Sequence, residues 1–165
     1  MNKKKFYITT SIAYTNSEPH IGHALEFVQA DVLARYHRQR GDEVFFQTGT
    51  DEHGKKIFEK ANSEKRDVQD FVDEISERFR HLAEVIGISN DCFIRTSDQK
   101  VHYPVVVDFW KKLVDKGDIY KDIYNALYCV GFEAFLCEKD LSDGLCPIHK
   151  KSTEHVSEEN YFFSF

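Results

Sequence analysis

Two imidazoles three residues apart, His20 and His23, enclose Ile21 and Gly22 directly after Pro19. If that turn joins a strand to a helix, it places two ring donors at a helix N-terminus, where unpaired backbone N–H groups and partial positive charge favour a phosphate. Gly22 removes a Cβ that would intrude on a ligand lying against the backbone. A metal pair is the bland alternative, and it lacks a third ligand nearby in sequence. A second group sits in Thr48-Gly49-Thr50-Asp51-Glu52-His53-Gly54. There Asp51 could pair with a ligand ammonium, with Gly49 and Gly54 allowing close approach, or it could cap a helix starting near Gly54. A third group, Cys129, Cys146 and His149, has soft donors suited to a transition metal.

The elements that must position these groups read clearly in the first two thirds of the chain. Residues 5–12 are β-branched and aromatic without a breaker, which predicts a strand, and Asn16-Ser17-Glu18-Pro19 ends it. Over residues 21–40, Ala24, Leu25, Val28, Val32 and Tyr36 recur at helical spacing, with Gly41 at the stop. A second strand over residues 43–48 makes this a β-α-β unit with a parallel sheet, whose strand C-terminal ends should carry the functional groups. Residues 67–86 give an amphipathic helix through Val68, Phe71, Val72, Ile75, Phe79, Leu82 and Ile86, closed by Gly87. A short strand near Phe93 and Ile94 and a helix over about residues 101–116, ended by Gly117, complete an α/β pattern. Beyond Gly117 the helical period is lost and tyrosines and cysteines take over, so a domain boundary is expected at residues 117–118. His37, His81, His102 and His155 are expected on solvated surfaces, and Cys92 as a small buried residue.

Composition excludes several classes. A formal net charge of -6, from Lys+Arg 22 against Asp+Glu 28, gives no global attraction to phosphate polymers, so any RNA contact must be local. No apolar run approaches the roughly 20 residues of a membrane span, and the basic start is not followed by a signal-peptide core, which together suggest the cytoplasm. Four scattered cysteines do not make a disulfide framework.

The flanking residues carry a family resemblance. Tyr14 to Ala24, with His20-Ile21-Gly22-His23 at its centre, and Thr48 to Gly54 resemble the methionine-specific class I aminoacyl-tRNA synthetases. The likeness continues through Phe93-Ile94-Arg95-Thr96 to Asn160-Tyr161-Phe162-Phe163 and so covers essentially the whole chain. Ser11 and Ala13 stand where that family usually has Pro and Tyr. The resemblance implies a Rossmann-like parallel sheet with flanking helices over residues 1–117, the first half of a catalytic domain, and part of a zinc-knuckle-like connective-peptide insertion over 118–165. It implies ATP-dependent activation of L-methionine to methionyl-adenylate and transfer to tRNA(Met). His20, Gly22 and His23 would serve ATP with Mg²⁺, while Ile12, Tyr14, Asp51 and His53 would line the methionine site.

In the knuckle, Cys129, Cys146 and His149 match ligand positions, and Phe132 stands where the family has a fourth ligand. Such a knuckle either takes Zn²⁺ with an open fourth position or is held metal-free by its aromatic residues; Cys137 offers no matching position. A Lys-Met-Ser-Lys-Ser-like loop is missing, since the sole methionine is Met1. The chain is thus expected to be an amino-terminal fragment, inactive alone, with residues 161–165 forming an apolar strand without a partner. Oligomeric state is not legible. Two other readings share the same residues: a nucleotidylyltransferase with a His-x-Gly-His phosphate site, and a non-catalytic nucleotide-binding module.

Overall fold

The computed structural model describes residues 3–131 and 134–164. Its contacts divide the chain into two compact units, Met1–Pro104 and Val105–Phe165. The first unit is built on β3 (Glu43–Asp51), whose two edges are both taken by parallel neighbours. On one edge lie β1 (Lys5–Thr9), from Lys5 opposite Glu43 to Thr9 opposite Gln47, and then β2 (Ala13–Tyr14), with Tyr14 opposite Asp51. On the other edge is β4 (Cys92–Arg95), running from Cys92 opposite Gln47 to Arg95 opposite Thr50.

The strand expected over residues 5–12 is therefore two pieces. From Thr9 to Ala13 the chain spends four residues where β3 spends three, so the ladder breaks and Ile12 falls in the gap. The break has its own bonds. Thr10 shares a 2.6 Å hydroxyl contact with Thr48, and the Ser11 N–H and hydroxyl donate to Glu26 at 2.7 and 2.8 Å.

Helix α1 (Ile21–Gln39) returns the chain for the parallel pairing. The core it presents is not the one its periodicity suggested. Phe27, Ala30, Asp31 and Ala34 are buried, whereas Leu25, Val28, Val32 and Tyr36 are all exposed. Asp31 on the inner face is satisfied by the Ser89 N–H and hydroxyl, at 2.7 and 2.5 Å, and by Arg35 at 2.5 Å, which is why a carboxylate is tolerated there.

Helix α2 (Lys55–Ser63) and helix α3 (Val68–Val85) follow. In α3 the expected face holds: Phe71, Val72, Ile75 and Phe79 are buried with Phe27, Ile57 and Ala61 in one apolar cluster. Asp67 caps α3 by accepting from the Gln69 and Asp70 N–H groups, and Gly87, at φ 68°, ends it. His37 departs from expectation, because its ring stacks on Phe6 at 3.5 Å and its Nδ1 lies 2.7 Å from Asp42. His102 likewise keeps Nδ1 away from water, with no hydrogen-bond partner among the described residues. Cys92 is half-buried on β4.

Helix α4 (His102–Lys116), which crosses into the second unit at Val105, leads into an antiparallel sheet of order β6-β5-β7, made by β5 (Ile119–Cys129), β6 (Ala134–Leu136) and β7 (Glu154–Phe163). The run expected to lack a partner has one: Tyr161, Phe162 and Phe163 pair with Lys121, Tyr120 and Ile119. Alternation along β5 and β7 was masked in the sequence by their many charged and aromatic residues. Residue 165 lies outside the described residues.

Candidate active site

His20 is the N-cap of α1, and the cap is reciprocal. The Gly22 N–H donates to His20 Nδ1 at 3.1 Å, and the His20 N–H donates to His23 Nδ1 at 3.1 Å. A backbone N–H can only donate, so both Nδ1 atoms are acceptors and the neutral rings carry their protons on Nε2. The rings stack at 3.9 Å, and His23 meets the edge of Phe79 at 4.8 Å. Gly22 is required for a reason other than ligand room: a Cβ there would lie 2.9 Å from the His20 ring. The Gly22 N–H, one of the donors of the helix N-terminus, is thus engaged by His20. The turn instead offers two fixed Nε2–H donors at the positive end of a 19-residue helix. Burial and the neighbouring His20 hold His23 below its ordinary pKa of 6.5, with Glu26 opposing them.

The second half of the site is the end of β3. Asp51 is the last β3 residue, and its backbone carbonyl accepts from the Thr15 N–H at 3.0 Å and the Thr15 hydroxyl at 3.1 Å. Helix α2 is headed by Gly54 with no side-chain cap, so Asp51 is not a helix cap. Its carboxylate takes a 3.4 Å bond from the Thr96 hydroxyl. His53 is exposed, with Nε2 donating to the Thr96 carbonyl at 3.3 Å.

Between them Glu52, 3% exposed, receives Arg95 Nε and Nη2 at 2.7 and 3.0 Å, the Thr50 hydroxyl at 2.7 Å and the Ser97 hydroxyl. Burial penalises this carboxylate, yet Arg95, Ser97 and Thr50 outweigh the penalty and its pKa falls below the usual value. Arg95 also pairs with Asp73 of α3.

The glycines here serve the protein's own packing. A Cβ on Gly49 would come within 2.0 Å of the Ile94 carbonyl, and one on Gly54, at φ 136°, within 2.2 Å of the Tyr14 hydroxyl. Sequence reading passed over Glu52 and Arg95; a charged residue between Asp51 and His53, directly after an apolar strand, was the available signal.

Topology brings the halves to one sheet end. Tyr14 is in register with Asp51, and six residues on, the chain enters α1 at His20. Ile12 is exposed in the strand break at the same end.

The third group is separate, in the second unit. Cys129, Cys146 and His149 offer donor atoms within 4.8 Å of one another, both cysteines being buried. His149 Nδ1 lies 3.8 Å from Cys129 Sγ and 3.9 Å from Cys146 Sγ. The His149 N–H, opposed by burial and aided by the His149 ring, Cys129 and the Ile148 N–H, brings the Cys146 thiol down to about 6, favouring the thiolate that metals bind. Cys137 is exposed at a 3-10 turn and outside this group. Phe132, the expected fourth position, lies outside the described residues. A three-donor pocket of this kind fits Zn²⁺ chemically.

Comparison with known proteins gives a consistent result. A family model described as tRNA synthetases class I (M) matches residues 6–161. A Methionine--tRNA ligase of Thermotoga maritima is 48% identical over 163 residues, which is 96% of this chain and 26% of that protein. One from Rickettsia felis is 49% identical, covering 98% of this chain and 31% of that protein. Among solved structures, Mycobacterium tuberculosis methionyl-tRNA synthetase in complex with methionyl-adenylate superposes with a TM-score of 0.88 at 37% identity, over 97% of this chain and 32% of that one. The chain therefore spans about a quarter to a third of the length of these relatives.

The capping geometry has a direct spectroscopic consequence. In ¹⁵N spectra at neutral pH, His20 and His23 are expected to show unprotonated Nδ1 and protonated Nε2, with His23 titrating below 6.5. A neutral ring carrying its proton on Nδ1 would contradict the reciprocal cap.

Proposed function

This chain belongs to the class I tRNA synthetases, and from that premise we propose that it forms the ATP- and amino-acid-facing part of a methionine–tRNA ligase. The observation that supports the proposal is the reciprocal histidine cap, which leaves two Nε2–H donors at the N-terminus of the helix that follows the strand in register with Asp51. In the proposed reaction the methionine carboxylate attacks the α-phosphate of ATP, releasing pyrophosphate and leaving methionyl-adenylate. Negative charge grows on the phosphate oxygens, and His20 and His23 stabilise it with preorganised donors that need no reorganisation. Gly22 keeps His20 in place. Asp51 holds the substrate ammonium, with His53, Tyr14 and Ile12 around the amino acid. Mg²⁺ bound with ATP would neutralise part of the triphosphate charge. The aminoacyl group then passes to the 3′-terminal adenosine of tRNA(Met).

Residues 1–117 are assigned to the first half of the catalytic domain and 118–165 to part of the connective-peptide insertion. Cys129, Cys146 and His149 would hold Zn²⁺ there. The apolar face of α1 through Leu25, Val28, Val32 and Tyr36 is left exposed, and we place its cover in the length of the relatives that this chain does not span. No helix among the described residues is long and apolar enough to cross a membrane, and we assign the protein to the cytoplasm.

Methionine-dependent ATP–pyrophosphate exchange tests the reading in a full-length enzyme whose amino-terminal part is this chain. His20→Ala or His23→Ala should raise the barrier by about 2 to 4 kcal/mol, the scale of one lost charge-stabilising donor, with methionine affinity nearly unchanged. Collapse of methionine affinity with turnover at saturation intact would reverse the assigned roles. For the second unit, the purified chain should hold roughly one zinc per molecule and lose it in Cys146→Ser; an unchanged metal content in that variant would place the metal elsewhere.

A further inference from the structure

Thr96 touches four consecutive residues at the end of β3. Its N–H donates to the Thr50 carbonyl at 3.2 Å, and its hydroxyl oxygen accepts from the Glu52 N–H at 2.8 Å. Its hydroxyl proton points to Asp51 Oδ1 at 3.4 Å, and its carbonyl accepts from His53 Nε2 at 3.3 Å. Neither flanking residue is slack. Arg95 is bound to Glu52 and Asp73, and Ser97 donates to Glu52.

A threonine hydroxyl has one proton. Because its oxygen is already the acceptor for a backbone N–H, that proton is directed to the carboxylate. We propose that Thr96 is a positioning residue for amino-acid recognition: it sets the rotamer of Asp51 through its hydroxyl and the placement of His53 through its carbonyl. The proposal rests on the reading of Asp51 as the ligand for the substrate ammonium.

The geometry explains why a threonine does this. A 3.4 Å bond is long for an O–H donor, so it steers the carboxylate while leaving its negative charge available to a cation. The donor itself is stiff, because a β-branched side chain has restricted χ1. One Asp51 oxygen is thereby held toward Thr96, so that the carboxylate's other oxygen would take the ammonium. Thr96 reaches the substrate only through Asp51 and His53, so its loss should weaken amino-acid binding and spare ATP.

The test is steady-state exchange in the full-length enzyme with Thr96→Val, Thr96→Ser, Asp51→Asn and the Asp51→Asn/Thr96→Val pair, with thermal unfolding of each. Thr96→Val should raise the methionine KM about 3- to 10-fold, the scale of one ordinary hydrogen bond, with ATP KM and kcat within about twofold. Thr96→Ser keeps the hydroxyl and should restore most of the affinity. In the Asp51→Asn background Thr96→Val should add less than about twofold, because the group it acts through has already changed. If the valine variant does not fold, Thr96→Ala, where water can replace the hydroxyl toward Glu52, should show the same split. An unchanged methionine KM in Thr96→Val or Thr96→Ala, or an equal factor with and without Asp51, overturns the role of Thr96. An unchanged methionine KM in Asp51→Asn overturns the reading of Asp51 instead, and the proposal with it.

Discussion

The buried ion pair between Glu52 and Arg95 is the contact on which the site depends. A carboxylate with a side chain fully out of solvent is costly unless every lone pair is used, and here two guanidinium nitrogens and two hydroxyls use them. The pair stands where two parallel strands have just ended and the ladder can no longer hold them in register. By joining the residue after β3 to the last residue of β4, it fixes the strand end at Asp51 and the loops that carry His53 and Thr96. Arg95 extends the tie to Asp73, so α3 is held to the same point. The buried face of α3 in turn supplies Phe79, whose ring supports His23. A single charged cluster thus ties the end of β3, with Asp51, to the helix whose Phe79 supports His23.

Local signals placed most of the elements around the candidate site. The glycines after α1, α3 and α4, the proline before His20 and the residue types at the strand ends placed the two histidines and Asp51 on the elements that carry them, while the strand carrying Cys129 went unread. What local signals could not rank was competing burial. In α1 two faces have helical spacing, and the more apolar one, through Leu25, Val28, Val32 and Tyr36, is exposed while a face with Asp31 is buried. Burial of Asp31 depends on Ser89, 58 residues away, which no window over the helix contains. The same reason hid the role of Glu52, whose partner Arg95 is 43 residues distant.

The strand break at Thr10 to Ile12 and the pairing of β7 with β5 were hidden for related reasons. The break is stabilised by side-chain bonds to Thr48 and Glu26 rather than by a turn residue. β5 and β7 are rich in charged and aromatic side chains because antiparallel sheets can leave one face in water, so their alternation does not stand out as apolar runs. The glycines show a complementary limit. Residue type alone suggested ligand room at Gly22, Gly49 and Gly54, but the space beside each is taken by His20, Ile94 and Tyr14.

The most direct test of this dependence is equilibrium unfolding of Glu52→Gln against pH. The folded-state pKa of Glu52 is depressed below its ordinary 4.5, so its stabilisation is present above that pH and is lost as pH falls through the lower folded value. At neutral pH the substitution should cost about 3 to 5 kcal/mol, the scale of breaking a buried pair. It should also flatten the acid limb below pH 4.5 and speed amide exchange at Glu52 and Thr96. A variant as stable as the parent, with the same acid limb and the same exchange at those two amides, would contradict the claim that this pair holds the site together.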